Sequence, residues 1–324
     1  MSFPFNLYVL AFGSGLLTTA LSMPIWRRWA EKIGLIDDPG HRKIHETPVP
    51  LSGGLGVLTG LLVPLVIGIL LFRSLGLLPS GALTYGIGRR KTQLLAILIG
   101  AIGMIFIGLL DDKFELRPHW KFAGQVLIAT MVAAVGVRIT LFVPNPLFSY
   151  AITILWILTL TNAVNFLDNM NGLCAGIGII ATWCFAWGAA VQGQYLVALI
   201  ALLTCGALLG FLPFNFPRAT AFLGDAGSHL VGFLLAVLGI LPHFYSSRHP
   251  NRWAVLSPLV VLAVPLGDLV GVVLWRWRMG KPIYVGDTNH ISHRLVRLGC
   301  SRTLAVLLIW LAAAIIGAAG VLLL

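Results

Sequence analysis

Gln93-Leu-Leu-Ala-Ile-Leu-Ile-Gly-Ala-Ile-Gly-Met-Ile-Phe-Ile-Gly-Leu-Leu-Asp-Asp-Lys-Phe-Glu115 decides how this chain is read. Residues 93–110 carry no charge, and as a helix they would span about 27 Å, close to the roughly 30 Å of a bilayer's hydrocarbon core. Asp111 and Asp112 follow at once. Adjacent carboxylates resist joint ionisation unless a cation compensates. They are also unfavourable at a helix C-terminus, where cations belong. Solvation of a helix end is the plain reading of such a pair, but it leaves that conflict standing. A bound Mg²⁺ would remove it, because Mg²⁺ takes one or two carboxylates together with substrate phosphates.

The pattern of an apolar run followed by a polar turn recurs along all 324 residues, of which 58% are hydrophobic and 10% charged. A soluble domain carries about 25% charged residues. Runs near 4–26, 53–72, 93–110, 120–139, 147–163, 174–191, 195–212, 227–244, 254–275 and 303–323 predict an all-α, polytopic membrane bundle of about ten helices. We expect one transmembrane domain, 1–324. The first run has no Lys or Arg before it, unlike a secretory signal, and is expected to be retained. GxxxG spacings at Gly56/Gly60, Gly172/Gly176 and Gly206/Gly210 predict close helix packing. The four cysteines show no CxxC spacing, so neither a zinc site nor a disulfide framework is indicated.

Net charge is +11. In a membrane protein such an excess meets anionic lipid head groups rather than nucleic acid. With the N-terminus outside, most Lys and Arg fall in the inner loops 27–52, 111–119, 164–173, 213–226 and 276–302 or their flanks, as the positive-inside rule requires. The 11 acids sort more sharply: all but Asp268 lie in or beside those loops. Insertion does not demand this, because acids contribute little to topology. It points to chemistry at one face. Asp268 lies inside the ninth run, about 12 Å from its inner end.

Each inner loop has a plain and a functional reading. Loop one, around Lys43, is a solvated basic loop in which Asp37 or Asp38 caps a turn, or a phosphate-facing surface. Loop three, Asn162-Ala-Val-Asn-Phe-Leu-Asp-Asn-Met-Asn-Gly172, is a capped polar turn, or a polar floor with Asn165, Asp168 and Asn171 on one helical face. In loop four, Asp225 of Gly224-Asp-Ala-Gly-Ser228 is an N-cap, or a metal ligand where helix-start N–H groups meet a phosphate. Phe222 is an interfacial anchor or a platform for a base. In loop five, His290 and His293 could bind phosphate or metal, or act as acid or base. Together these features describe Mg²⁺-dependent phosphoryl chemistry. A transporter or flippase for an anionic substrate is the alternative, but its site belongs near the bilayer midplane.

The ordered set Arg42-Lys43-Ile44-His45, Asp111-Asp112, Lys121-Phe-x-x-Gln125, Asn165-Phe-Leu-Asp168, Phe222-Leu-Gly-Asp225-x-Gly-Ser228, Pro265-Leu-Gly-Asp268 and Gly280-Lys-Pro-Ile283 with the His290 loop resembles the polyprenyl-phosphate N-acetylhexosamine-1-phosphate transferases. It is closer to their UDP-N-acetylglucosamine branch than to the phospho-MurNAc-pentapeptide branch. The resemblance implies a multi-pass enzyme of a bacterial inner membrane with its active face cytoplasmic. A polyprenyl (undecaprenyl) phosphate would attack the β-phosphorus of a UDP-N-acetylhexosamine and release UMP, the first membrane step of an envelope glycan. It implies Mg²⁺, with Mn²⁺ as an alternative, on Asp225 and Asp112, and catalytic roles for Asp111, Asp112 and Asp168. Substrate binding would fall to Lys43, Lys121 (the lipid phosphate), Asn165, Asn171, Asn215, Phe222 (the uridine, with Asn215), Gly224, His290 and His293. The partners are both substrates and the membrane, with no nucleic acid; a homodimer is left open. Two positions depart from the family pattern. Asn171 stands where a carboxylate is usual, and Ser292 where a further His is common.

Overall fold

The computed structural model describes residues 3–38, 47–74, 82–244, 250–281 and 289–324. Helices dominate: α1 (Phe5–Ile33), α2 (Gly53–Ser74), α3 (Ala82–Phe114), α4 (Pro118–Ala134), α5 (Pro146–Leu167), α6 (Leu173–Val191), α7 (Tyr195–Phe211), α8 (Gly224–Leu238), α9 (Ser257–Val261), α10 (Ala263–Arg278), α11 (Ile291–Arg297) and α12 (Arg302–Val321). Each of the ten apolar runs corresponds to helix. Fewer than ten of the described helices have the length and apolarity of a full span, however. Among the described residues, seven helices are long and apolar enough to cross a bilayer, or eight if the pair 252–261 and 263–278 is one span bent by 67°. The bend has a local cause. Pro265 has no N–H for a helical bond to Val261, and proline is tolerated only in a helix's first turn, so a new helix starts at Ala263.

The other two runs form shorter helices, α4 of 17 residues and α8 of 15. α8, only about 22 Å long, is the hub of the bundle. Every residue from Ala226 to Leu238 is buried, and α2, α3, α5 and α6 pack around it. Protein on all sides makes its short length tolerable, because its ends need not meet lipid. The outer helices turn large apolar side chains outward, such as Leu21, Ile69, Phe106 and Ile315. Glycines set the close approaches, as the spacing predicts. Gly56 and Gly60 of α2 lie against Met23 and Thr19 of α1, while Gly206 and Gly210 of α7 lie against the backbone of Phe12 and Leu16. On α3, Gly108 brings the helix end onto the backbone of Asp225 and Ala226.

One small sheet joins the helices. β1 (Ile36–Asp37) pairs antiparallel with β2 (Val49–Pro50), Ile36 opposite Pro50. The chain after β2 is tied to the loop before α8: Phe222 N–H donates to Pro50 O (3.0 Å) and Gly53 N–H to Phe222 O (2.8 Å). The base of loop one and loop four thus form a single wall.

Candidate active site

The close approach at Gly108 places Asp112 over the start of α8. One carboxylate oxygen accepts from Asp225 N–H (2.7 Å), the other from Ala226 N–H (3.1 Å). This answers the conflict posed by a carboxylate at the end of α3. Two charge-assisted bonds, each worth about 1.5–3 kcal/mol, outweigh a helix-end penalty of about 0.3–1 kcal/mol. Asp112, rather than Asp225, therefore satisfies the first N–H groups of α8. Gly224 makes room for it. Its φ is +68°, and a Cβ there would lie 2.6 Å from Asp112 Oδ2.

Asp111 turns the other way. Its Oδ1 accepts from Leu116 N–H (2.9 Å), shaping the turn into α4, and its Oδ2 meets Lys121 Nζ (2.6 Å). Lys121 also meets Asp225 Oδ2 at 2.6 Å, so one ammonium bridges two acids. The second oxygen of Asp225 accepts from Asn165 Nδ2 (2.8 Å), which also reaches Ser228 Oγ (2.9 Å). Deeper between α4, α5 and α8, Asn162 donates to Gln125 Oε1 (2.8 Å), and Gln125 meets His229 at 3.4 Å.

Asp168 ends α5. Among the described residues nothing hydrogen-bonds its carboxylate. Burial, with Asp225 and Asp112 nearby, raises its pKa to about 8. It lies in a cavity of about 820 Å³ whose lining also includes Asp112, Asp225, Asn165, Phe222 and His293. Asn171, Asn215 and Gly224 line it as well. Asn215 braces the walls: its Oδ1 accepts from Gly172 N–H (2.6 Å) and its Nδ2 donates to Ala221 O (2.9 Å). Asn171 Nδ2 donates to Pro217 O (3.2 Å). Burial lowers the pKa of His293, and its ring lines the cavity.

Three expected site residues stand apart from this lining. Asp111 and Lys121 lie behind Asp225, and His290 is buried against Asp268. Lys43, with Arg42 and His45, falls outside the described residues, as do Pro282 and Ile283. Among the described residues no three His, Cys, Asp or Glu side chains form a ready metal cage. The donor set still fits Mg²⁺ completed by substrate phosphates, since the Asp168 carboxylate, which accepts no hydrogen bond among the described residues, shares one cavity with those of Asp112 and Asp225.

Residues 94–243 match the family model for glycosyl transferase family 4. A Bacillus subtilis protein named "Probable undecaprenyl-phosphate N-acetylglucosaminyl 1-phosphate transferase" is 33% identical over 311 residues, covering 94% of this chain and 81% of its own. The chain belongs to glycosyl transferase family 4. A Mycobacterium tuberculosis decaprenyl-phosphate N-acetylglucosaminephosphotransferase is 33% identical over 334 residues, covering 94% of this chain and 80% of its own. An Escherichia coli undecaprenyl-phosphate alpha-N-acetylglucosaminyl 1-phosphate transferase is 28% identical over 328 residues, covering 94% and 81%.

In this family 4 chain, side chains to which the motifs assign no role complete the site. Ser292, fully buried, donates to Asn169 Oδ1 (2.6 Å), and Asn169 lines the cavity. The departure at Ser292 is thus a strut between loops five and three. Ser228 and His229 extend the polar set into the bundle. Their signal was their place one turn beyond Asp225.

Proposed function

We propose that the chain transfers N-acetylglucosamine 1-phosphate from UDP-N-acetylglucosamine to a membrane polyprenyl phosphate, with undecaprenyl phosphate the expected acceptor. The lipid phosphate oxygen forms a bond to the β-phosphorus, the bridging P–O bond to the α-phosphate breaks, and UMP leaves. The observation that carries this reading is the shared cavity of Asp112, Asp168 and Asp225. These carboxylates stand at helix ends, in a cavity that Arg218, Arg302 and His293 also line. A transporter would place its site near the midplane.

Phosphoryl transfer is mostly positioning and charge neutralisation, and the wall residues suit those tasks. Phe222 offers a ring for the uracil beside Asn215 and Asn171. Asn165 and Lys121 hold Asp225 in place. His293 faces the diphosphate. Asp112, Asp168 and Asp225 would hold Mg²⁺, which when bound neutralises diphosphate charge. The one-sided sorting of acids and the excess of inner-loop cations support a cytoplasmic active face, in a bacterial inner membrane as the first membrane step of an envelope glycan.

The test is UMP release by purified protein in nanodiscs with undecaprenyl phosphate and a panel of UDP-sugars, in Mg²⁺ or in EDTA. We expect release with UDP-N-acetylglucosamine in Mg²⁺ and none in EDTA. No release with any sugar overturns the proposal; release that persists in EDTA overturns the metal.

A further inference from the structure

Asp268 is the one acid whose place the charge pattern left unexplained. In the structure its Oδ2 lies 2.6 Å from His290 Nδ1, and its Oδ1 accepts from Ile291 N–H at 2.7 Å. Both side chains are buried, Asp268 at 8% exposure and His290 at 5%. One carboxylate therefore fixes a histidine ring and the backbone at the start of α11. A carboxylate only accepts, so Nδ1 is the protonated nitrogen of the pair, and a neutral ring is left with its lone pair on Nε2. Among the described residues nothing hydrogen-bonds that Nε2.

The rest of the cluster is built around this contact. The edge of Phe166 meets the His290 ring with centroids 6.3 Å apart. The buried Arg276 guanidinium stacks on the same Phe166 at 5.4 Å. His293, one turn along α11 and 6.3 Å from His290, faces the cavity. Ser292 between them is tied to Asn169. α11 is thus held at two points by neighbours on α10 and loop three, and its register decides where both histidines face.

We propose that Asp268 is a positioning residue: it locks the tautomer of His290 and the register of α11, so that the ring of His293, one turn on, is presented to the diphosphate of the sugar nucleotide. This rests on the function proposed above. An amide at position 268 has one acceptor oxygen for two N–H groups. If the oxygen keeps Ile291 N–H, its NH₂ faces the ring, which then turns its lone pair to Nδ1 and its proton to Nε2. Partners that orient metal-ligating histidines contribute roughly tenfold to a hundredfold, and an effect of that order is expected of Asp268.

The test uses the full chain in nanodiscs, with side-chain ¹⁵N spectra of His290 assigned through His290→Gln. In wild type we expect the neutral ring to show a protonated Nδ1 and a bare Nε2. In Asp268→Asn the two signals exchange, and in Asp268→Glu the wild-type pattern returns. Steady-state assays should show a KM for UDP-N-acetylglucosamine raised roughly tenfold or more in Asp268→Asn, with a smaller change in kcat and partial rescue by Glu. Identical His290 spectra in wild type and Asp268→Asn would overturn the proposal, as would an unchanged KM. Wild-type protein that releases no UMP refutes the transferase reading instead, and the spectra still decide the tautomer.

Discussion

Replacing Gly224 by alanine tests the contact that assembles the site. The residue sits at φ +68°, a conformation that costs an L side chain about 1–2 kcal/mol. The added Cβ would lie 2.6 Å from Asp112 Oδ2 and 3.1 Å from its Cγ. The carboxylate must retreat, and it is the acceptor for Asp225 N–H and Ala226 N–H. The backbone strain should lower Tm, while turnover should feel the lost bond, worth about 1.5–3 kcal/mol. At 1.36 kcal/mol per tenfold, that displacement should lower kcat by roughly 10- to 10²-fold in protein that still inserts. Gly193 supplies the control, since its φ is +69° with nothing within 4 Å of an added Cβ. Gly193→Ala should show only the backbone strain, as a lower Tm with near-normal turnover. UMP release measured side by side decides the matter. A Gly224→Ala enzyme within threefold of wild type would mean that Asp112 does not organise the start of α8.

Asp168→Asn should abolish UMP release and flatten a pH dependence. In EDTA the wild-type protein should lose stability as pH rises from about 4 to 8, because the unfolded chain releases the Asp168 proton first while the folded site, with its pKa near 8, holds it; thermal unfolding from pH 5 to 9 reads the slope, and an equal slope in the variant refutes the assignment. Lys121→Met leaves Asp111 and Asp225 without their shared cation, and breaking a largely buried ion pair costs about 3–5 kcal/mol. A lower Tm that Mg²⁺ partly restores is the expected result, and an unchanged Tm would show that the bridge is not structural. Asn171→Asp should keep or raise activity with UDP-N-acetylglucosamine; complete loss would mean the amide is specifically required.

The helices were legible because a bilayer imposes length and apolarity locally, residue by residue. The span count was less so. Whether the short α8 meets lipid or protein depends on its neighbours, and the bend at Leu262 turns on a single proline. The loops announced Asp112, Asp168 and Asp225 by residue type, and the structure places all three on one cavity. How Asp112 is held was not legible, because its partners lie 113 and 114 residues away on α8. Asp268 shows the same limit. Its apolar surroundings in sequence made it an oddity, while its partner His290 stands 22 residues on, across a change of helix. Asn215 was read as a contact for uridine. Its side chain also ties loop three to loop four, through partners that sequence spacing does not show.

The position of Lys121 bears on how this site handles charge. The resemblance assigned it to the lipid phosphate, yet here it bridges Asp111 and Asp225 at 2.6 Å each. The two roles are compatible if the lysine changes partners. Asp111, Asp112, Asp168 and Asp225 form an acidic group with Lys121 as the cation in direct contact. A diphosphate and a lipid phosphate add further negative charge to the same few ångströms, where low dielectric strengthens repulsion. Arg218 and Arg302 of the cavity lining offset part of that charge, and a metal ion entering with the substrates would offset more. A metal on Asp225 would relieve its need for the ammonium and free Lys121 toward the lipid phosphate. Metal and lipid should therefore bind cooperatively. In Lys121→Met, Mg²⁺ should still stabilise the protein, but undecaprenyl phosphate should no longer tighten Mg²⁺ binding. If that coupling persists unchanged in the variant, Lys121 is a fixed strut and the lipid phosphate is held by another residue.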